Sequence, residues 1–313
     1  MRINIRSISF RSANGEDNIS AVCYFPEGEE IRGIVLVSHG MLEHIGRYHE
    51  FMLFLAQKGF AVFGQDHLGH GKSALGPERL GYFAHENGYQ CLIKDLRHLC
   101  HIAQGMFPER KIFLLGHSMG SLIARLYCVK YPDTLSGVIL MGTAGPNPMT
   151  GFGILLAQRY LRKEGEFSRP ERLHELVIGS MNRRFTPTRT ASDWLSRDEA
   201  AVDRYLADPA SGQRFTASAY LDLFTMMEVL GSPRWARDYP KGLPTLLLSG
   251  DCDPVGNFGR GVLQVYNRLQ SAGVEDLEMQ LYEGARHELL HELNREEVYG
   301  DILDWIENEI QED

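Results

Sequence analysis

The sequence predicts an α/β fold in which helices flank a mostly parallel central sheet and one helical stretch is inserted. Short β-branched runs alternate with longer helical patterns along most of the chain. Five of these runs are apolar without alternation, which is typical of strands buried on both faces of a parallel sheet. This alternation of strands and helices is interrupted for about 93 residues, at 146–238, where the pattern is helical and no convincing strand is present.

The strands follow in order from these patterns. One run within residues 1–12 and one at 19–24 alternate polar and apolar residues before any helical segment, so they predict an antiparallel hairpin at the sheet edge. The remaining candidates have helical patterns between them and include the five apolar runs. They lie at 33–37, 61–64, 111–115, 137–141, 245–248 and 277–281.

The interruption divides the chain into two parts. We expect residues 1–145 and 239–313 to form the α/β catalytic domain and residues 146–238 to form an inserted helical lid. The net charge is −9, with 32 Lys and Arg against 41 Asp and Glu, and the lid stretch carries +1 of it while the remainder carries −10. Along residues 152–161, helical spacing places four side chains on one side, Ile154, Leu155, Gln158 and Leu161. Two interpretations remain open: a lid helix that faces an acyl pocket, and one that packs on the sheet domain.

Composition excludes several classes of protein. The chain has 313 residues, of which 43% are apolar and 23% charged, as in ordinary globular proteins. An acidic balance with no Lys or Arg run longer than a pair argues against a nucleic-acid partner, because that partner requires clustered cations. No apolar stretch approaches 18 residues, and the N-terminus does not resemble a signal peptide. Five cysteines, odd in number and widely spaced, favour a reducing, cytoplasmic compartment.

The first chemical motif is Gly-His-Ser-Met-Gly at residues 116–120. It follows a predicted strand and precedes a helix predicted at 121–130. In a nucleophile elbow the serine occupies a strained strand-to-helix turn, and small residues are needed two positions before and after it. The motif therefore predicts Ser118 as a nucleophile at a helix N-terminus, where developing negative charge is favoured.

A serine nucleophile needs a base, and the base needs an acid to orient it. Asp251 and Asp253 follow the predicted strand before last, and His287 follows the last one. Each therefore lies past the carboxyl end of its strand, where open α/β sheets carry their sites. Both aspartates are candidates, and the rigid turn expected from Pro254 favours Asp253. His287 is favoured over His291 because it lies closer to the strand end.

Acyl transfer also needs two backbone donors for the oxyanion. The amide of Met119, directly after the serine, is one candidate. The second should come from the loop after the strand at 33–37, and Met41 is the best candidate in that loop. His39 and Gly40 are expected to shape the turn.

A competing motif is His-Glu-Leu-Leu-His at residues 287–291, which matches the H-E-x-x-H signature of zinc peptidases. Zinc binding would require both histidines on one continuous helix. Asn294 and Glu297 instead resemble a capping box, so the helix is expected to begin after the motif. A zinc peptidase that uses His287 and His291 remains the less favoured alternative.

Taken together, the motifs make the chain similar to the monoglyceride lipase and lysophospholipase branch of the α/β-hydrolases. The similarity covers nearly the full length and is weakest in the lid. The stretches that carry it are residues 39–44 with Arg47 and Tyr48, 66–73, 116–120, 250–254 and 282–287. The resemblance implies the α/β-hydrolase fold, Ser118 as nucleophile, Asp253 as acid, His287 as base, and Met41 with Met119 as oxyanion donors.

The motifs and the resemblance together imply a serine hydrolase without cofactor or metal that cleaves monoacylglycerol-like, lysophospholipid-like or related acyl esters. The expected partner is this small-molecule or lipid substrate. Transient contact with a membrane surface is compatible with the sequence, and the sequence does not determine the oligomeric state. An aminopeptidase or amidase on the same triad is the nearest alternative. A ligand-binding protein without catalytic activity is the alternative outside enzymes.

Overall fold

The computed structural model describes residues 2–311, which form eight strands and ten α-helices in largely alternating order. The strands are β1 (Ile3–Arg11), β2 (Asn18–Pro26), β3 (Ile34–Ser38), β4 (Ala61–Gln65), β5 (Ile112–His117), β6 (Gly137–Met141), β7 (Thr245–Gly250) and β8 (Leu277–Tyr282). Every residue of β3 to β7 is buried, which explains why these strands show no polar alternation.

The strands form one sheet in the order β1-β2-β4-β3-β5-β6-β7-β8. β1 pairs with β2 and β2 with β4 in antiparallel fashion, and all other neighbours are parallel. The predicted mostly parallel sheet is confirmed, and its antiparallel hairpin lies at the edge. Because β3, β5, β7 and β8 are parallel, the loops after their carboxyl ends meet at one side of the sheet.

Helices cover both faces of the sheet. They are α1 (His49–Gln57), α2 (Gly88–Met106), α3 (Met119–Lys130), α4 (Thr150–Glu164), α5 (Glu171–Ile178), α6 (Glu199–Ala207), α7 (Ala217–Gly231), α8 (Arg234–Arg237), α9 (Arg260–Ser271) and α10 (Arg295–Gln311). The buried apolar residues of α1 and α10 join one core cluster, and those of α2, α3, α7 and α9 join the other. Among the helices of residues 2–311, none combines the length and apolar character needed to cross a bilayer.

The chain between β6 and β7 lies wholly within the described residues and contains helices α4 to α8 and no strand. The prediction that one side of α4 packs inward with Ile154, Leu155, Gln158 and Leu161 is partly wrong, because Leu155 is 66% exposed and Gln158 is also exposed. The buried positions of α4 are Thr150 at its first residue and the small residues Gly153 and Ala157. A Cβ atom on Gly153 would lie 2.7 Å from the Phe224 ring, so these small residues let α7 approach α4 closely.

Candidate active site

Ser118 occupies the turn between β5 and α3 with φ 53° and ψ −117°, a backbone conformation that non-glycine residues seldom adopt. A Cβ atom on Gly116 would lie 2.5 Å from the carbonyl oxygen of Gly120, and one on Gly120 would lie 2.0 Å from that of Ser38. Helix α3 begins at Met119, two residues earlier than predicted. Ser118 therefore lies directly before the helix, in the tight turn that the motif predicts.

The base and acid candidates are in direct contact. His287 Nδ1 lies 3.0 Å from Asp253 Oδ2, and both side chains are buried. The other carboxylate oxygen of Asp253 accepts a bond of 2.8 Å from the Val255 amide. Asp251 instead accepts a bond of 2.8 Å from the Gly284 amide and ties two loops together. Of the two aspartates left open by the sequence, Asp253 is the one that contacts the histidine.

The His287 ring is enclosed by two other rings. Its centroid lies 5.2 Å from that of Trp194 and 4.8 Å from that of His117. Gly142 has φ +58°, and a Cβ atom there would lie 3.1 Å from His287 Cε1. The imidazole therefore has little freedom to rotate away from Asp253.

The loop after β3 lies beside the serine. The Gly40 amide donates to Glu43 Oε1 at 2.7 Å, and a Cβ atom on Gly40 would lie 3.1 Å from Ser118 Cβ. Met41 from this loop and Met119 from the elbow line the same cavity as Ser118. The two residues predicted to supply the oxyanion donors thus border the same cavity as the candidate nucleophile.

A buried network behind the site was missed at the sequence level. Arg47 Nη1 donates to Glu43 at 2.9 Å, and Arg47 Nη2 donates to Glu288 at 2.7 Å. Glu43 also accepts from the Tyr48 hydroxyl at 2.9 Å and lies 3.0 Å from His117 Nδ1. No sequence spacing predicts the contact between Arg47 and Glu288, because they are 241 positions apart. The only signal was that four of the five residues belong to the stretches that carried the family resemblance.

The network holds charged groups in a buried place. Burial alone would raise the pKa of Glu43, but the hydrogen bond from His117 and the charge of Arg47 keep it well below its usual value. For His117 the directions are reversed: burial alone would lower its pKa, but the hydrogen bond to Glu43 and the charge of Glu43 raise it. Burial opposes ionisation of Glu288 too, and Arg47 lowers its pKa nonetheless. The two glutamates are thus held ionised around Arg47, and Glu43 favours the protonated form of His117.

The H-E-x-x-H motif is not on one helix. Residues Leu289–His291 form a 3-10 turn, and α10 begins at Arg295, as the capping pattern predicted. Glu288 is engaged by Arg47, and burial lowers the pKa of His291 to about 4. Within residues 2–311, no three His, Cys, Asp or Glu side chains are arranged to hold a metal ion. The geometry therefore gives the zinc alternative no support.

His39 has the expected role in its turn. Its Nε2 accepts from the His67 amide at 3.0 Å, so its Nδ1 carries the proton and donates to the Gly40 carbonyl at 2.7 Å. His67 and His70 lie beside it, and all three are buried. Burial lowers the pKa of His39 to about 4, which keeps the ring neutral.

The candidate residues open onto a cavity of about 480 Å³. Ser118, His287, Met41 and Met119 all line it, whereas Asp253 lies behind His287. Helices α5 and α7 contribute six apolar residues to its wall: Leu176, Val177, Ile178, Leu223, Phe224 and Met227. No residue of α4 is in the lining, so the interpretation in which that helix faces the pocket is wrong.

Comparison with known proteins assigns the family. The family model described as serine aminopeptidase, S33, matches residues 29–294, which is most of the chain. The chain belongs to this family. Monoglyceride lipase of Mus musculus is 30% identical over 286 residues, which cover 89% of this chain and 84% of the relative. Monoacylglycerol lipase of Mycolicibacterium smegmatis is 29% identical and covers 88% of each chain.

Solved structures support the same family assignment. A thermostable carboxyl esterase from Bacillus coagulans superimposes with a TM-score of 0.92 at 33% identity, covering 98% of this chain and 99% of its own. A lipase in its open form gives a TM-score of 0.89 at 26% identity, covering 98% and 100%. This S33 family member therefore has the α/β-hydrolase fold and lies in the monoglyceride lipase branch, as its motifs predicted. It is a serine hydrolase of carboxylic esters.

Proposed function

We propose that Ser118, His287 and Asp253 form the catalytic triad of this esterase, with the Met41 and Met119 amides as the oxyanion hole. The observation that carries the proposal is the contact of 3.0 Å between His287 and Asp253, made where His287 shares a cavity with the strained Ser118. A buried carboxylate on Nδ1 fixes the tautomer that leaves Nε2 free to accept a proton.

The reaction then proceeds in two halves. His287 takes the hydroxyl proton of Ser118 as the serine oxygen attacks the ester carbonyl, and the two amides stabilise the oxyanion. The alcohol leaves with the proton from His287, and Ser118 is left acylated. A water molecule that gives a proton to His287 then attacks the acyl group. The bond to the serine oxygen breaks, the fatty acid is released, and His287 returns the proton to Ser118.

The proposed substrates are monoacylglycerols, lysophospholipids or related acyl esters. Two observations support this class: relatives at about 30% identity are monoglyceride lipases, and the cavity has an apolar wall from α5 and α7 that suits an acyl chain. Residues 146–238 would act as the lid, since α5 and α7 lie within them.

A fluorophosphonate probe tests the nucleophile. We expect the probe to label the wild-type chain and Ser180→Ala, whose serine lies on the same cavity wall, and not Ser118→Ala. Hydrolysis of octanoyl glycerol should disappear with the label. Labelling or hydrolysis that survives Ser118→Ala would overturn the assignment.

The family description favours one second candidate, an aminopeptidase. A free substrate amine would need an unpaired carboxylate, and the two acids on the cavity wall, Glu43 and Glu288, are both paired with Arg47. Esters are therefore preferred. The test is a set of p-nitrophenyl esters from acetate to palmitate, assayed beside monoacylglycerol, lysophospholipid and aminoacyl substrates. Turnover of only the aminoacyl substrates would reverse the choice.

Exposed α4 residues combine apolar Phe152 and Leu155 with basic Arg159 and Arg162, a pattern that suits contact with an anionic membrane surface. Co-sedimentation with vesicles containing anionic lipid should weaken in the double variant Phe152→Ser/Leu155→Ser. The exposed Leu281, on β8, provides a control as Leu281→Ser.

The five free cysteines support a reducing compartment, the cytoplasm, as the location of the enzyme.

A further inference from the structure

Two adjacent arginines lie on the wall of the cavity. Arg183 and Arg184 belong to the 3-10 turn Met181–Arg184, between α5 and α6, and both are exposed. In the described chain, 2–311, they are the only Lys or Arg side chains that line the cavity. Their exposure places them at its rim, where it opens to solvent.

Neither guanidinium has an acidic partner within residues 2–311. Their neighbours in the same segment are paired: Arg189 lies 2.6 Å from Asp203, and Arg197 lies 2.9 Å from Glu292. Arg184 instead lies over the ring of Phe258, 3.9 Å from its centroid. A guanidinium held over a ring face by a cation–π contact keeps its N–H donors free, and the planar group can bind an oxyanion in bidentate fashion.

The backbone that carries the ring beneath Arg184 is constrained. Asn257 and Phe258 have φ values of 49° and 56°, and the Phe258 amide donates to the Asp253 carbonyl at 2.8 Å. A bulky residue holds such a conformation only where its surroundings impose it. Arg184 therefore rests on the same loop that supplies the acid of the proposed triad.

The charges of the cavity do not cancel at the rim. Glu43 and Glu288 are both buried and paired with Arg47 behind the wall, and Glu43 also contacts His117. Among residues 2–311, the charged lining side chains without an ionic partner are those of Arg183 and Arg184, although the chain as a whole carries −9. An anionic group on the substrate would be attracted to this point of the cavity.

We infer that Arg183 and Arg184 form a subsite for an anionic group, a phosphate or a carboxylate, on the alcohol part of the ester. The inference rests on the proposed function. The apolar wall takes the acyl chain, so the polar alcohol part lies toward solvent, where the arginines are. The pair thus determines which alcohols the enzyme prefers and takes no part in bond cleavage.

Three octanoyl esters test the subsite: octanoyl glycerol, octanoyl glycerol 3-phosphate and octanoyl glycolate. The quantity measured is kcat/KM for each anionic ester divided by kcat/KM for the neutral one, which cancels differences in folded fraction. We expect this ratio to fall about tenfold in Arg183→Gln/Arg184→Gln, and to fall less at high salt, because surface charges are screened. The matched control is Arg172→Gln, an exposed arginine of α5 outside the cavity lining.

The outcomes separate the inference from the proposed function. A ratio that falls for both anionic esters supports a general anion subsite, and one that falls only for the phosphate supports a phosphate subsite. An unchanged ratio in the double variant, or an equal fall in Arg172→Gln, overturns the inference while hydrolysis that depends on Ser118 keeps the proposed function. Hydrolysis that persists in Ser118→Ala would overturn the proposed function itself.

Discussion

Asp251 and Asp253 are two positions apart in one loop, yet their contacts differ. Asp253 meets His287, whereas Asp251 accepts a bond from the Gly284 amide. We expect Asp253→Asn to lower kcat by a factor of about 10³ to 10⁴, because the imidazole loses the carboxylate that orients its tautomer and stabilises its charge. Steady-state hydrolysis of octanoyl glycerol measures the effect.

The matched control is Asp251→Asn. The asparagine oxygen can still accept from the Gly284 amide, so its activity should stay within a few-fold of the wild-type value. A large loss in Asp251→Asn together with a small one in Asp253→Asn would exchange the roles of the two aspartates.

Gly120 shows how closely the elbow is packed. A Cβ atom there would lie 2.0 Å from the Ser38 carbonyl oxygen, and a backbone atom has little freedom to move aside. Gly120→Ala should lower the free energy of unfolding by roughly 3 kcal/mol or more, because overpacking shifts the backbone. Urea unfolding followed by circular dichroism measures this quantity.

Gly105, in α2, is the control for Gly120. No atom would lie within 4 Å of a Cβ there, so Gly105→Ala should be neutral or stabilise by about 0.5 to 1 kcal/mol. Equal effects of the two substitutions would contradict the packing explanation.

At the scale of elements, the sequence predicted every strand of the sheet. Strands β3 to β7 give uniform apolar runs because both of their faces are buried, whereas β1 and β2 at the edge give alternating ones. The sequence also predicted where α10 begins, because capping is local. The predicted orientation of α4 was wrong because it depends on contacts that are not local. Periodicity reports an apolar face but does not name its partner, and the close approach of Phe224 to Gly153 is a tertiary contact. The roles of Ser118, Asp253 and His287 remain predictions from motif and geometry.

Arg47 links elements that are distant in sequence. It joins Glu43, in the loop after β3, to Glu288, in the loop after β8. Arg47→Ala should lower the free energy of unfolding by about 3 to 5 kcal/mol, because two buried carboxylates lose their partner. Arg32→Ala is the control, since its pairing with Glu307 is partly exposed and should contribute about 1 kcal/mol or less. Urea midpoints that shift equally in both variants would contradict this distinction.

Across the whole molecule, buried titratable groups make stability depend on pH in two opposing ways. Burial lowers the pKa of His39 and His291 to about 4 and that of His70 to about 3, so the unfolded chain binds more protons below about pH 6.5. These histidines lower stability as the pH falls. Asp95 and Asp222 act in the opposite direction, because burial raises their pKa to about 6 and about 7. The overall pH dependence is therefore a difference, and a single substitution can isolate one contribution.

His70→Asn isolates the contribution of one buried histidine. His70 Nδ1 donates to the Leu68 carbonyl at 2.9 Å, and an asparagine amide nitrogen can make the same bond without titrating. Between pH 7 and pH 5, the wild-type chain should lose about 2 kcal/mol more unfolding free energy than His70→Asn, because only its unfolded state gains a proton at this position. The measurement is urea unfolding at both pH values, with His101→Asn, an exposed histidine of α2, as the control. Parallel pH profiles for wild type and His70→Asn would show that His70 is not held neutral by burial.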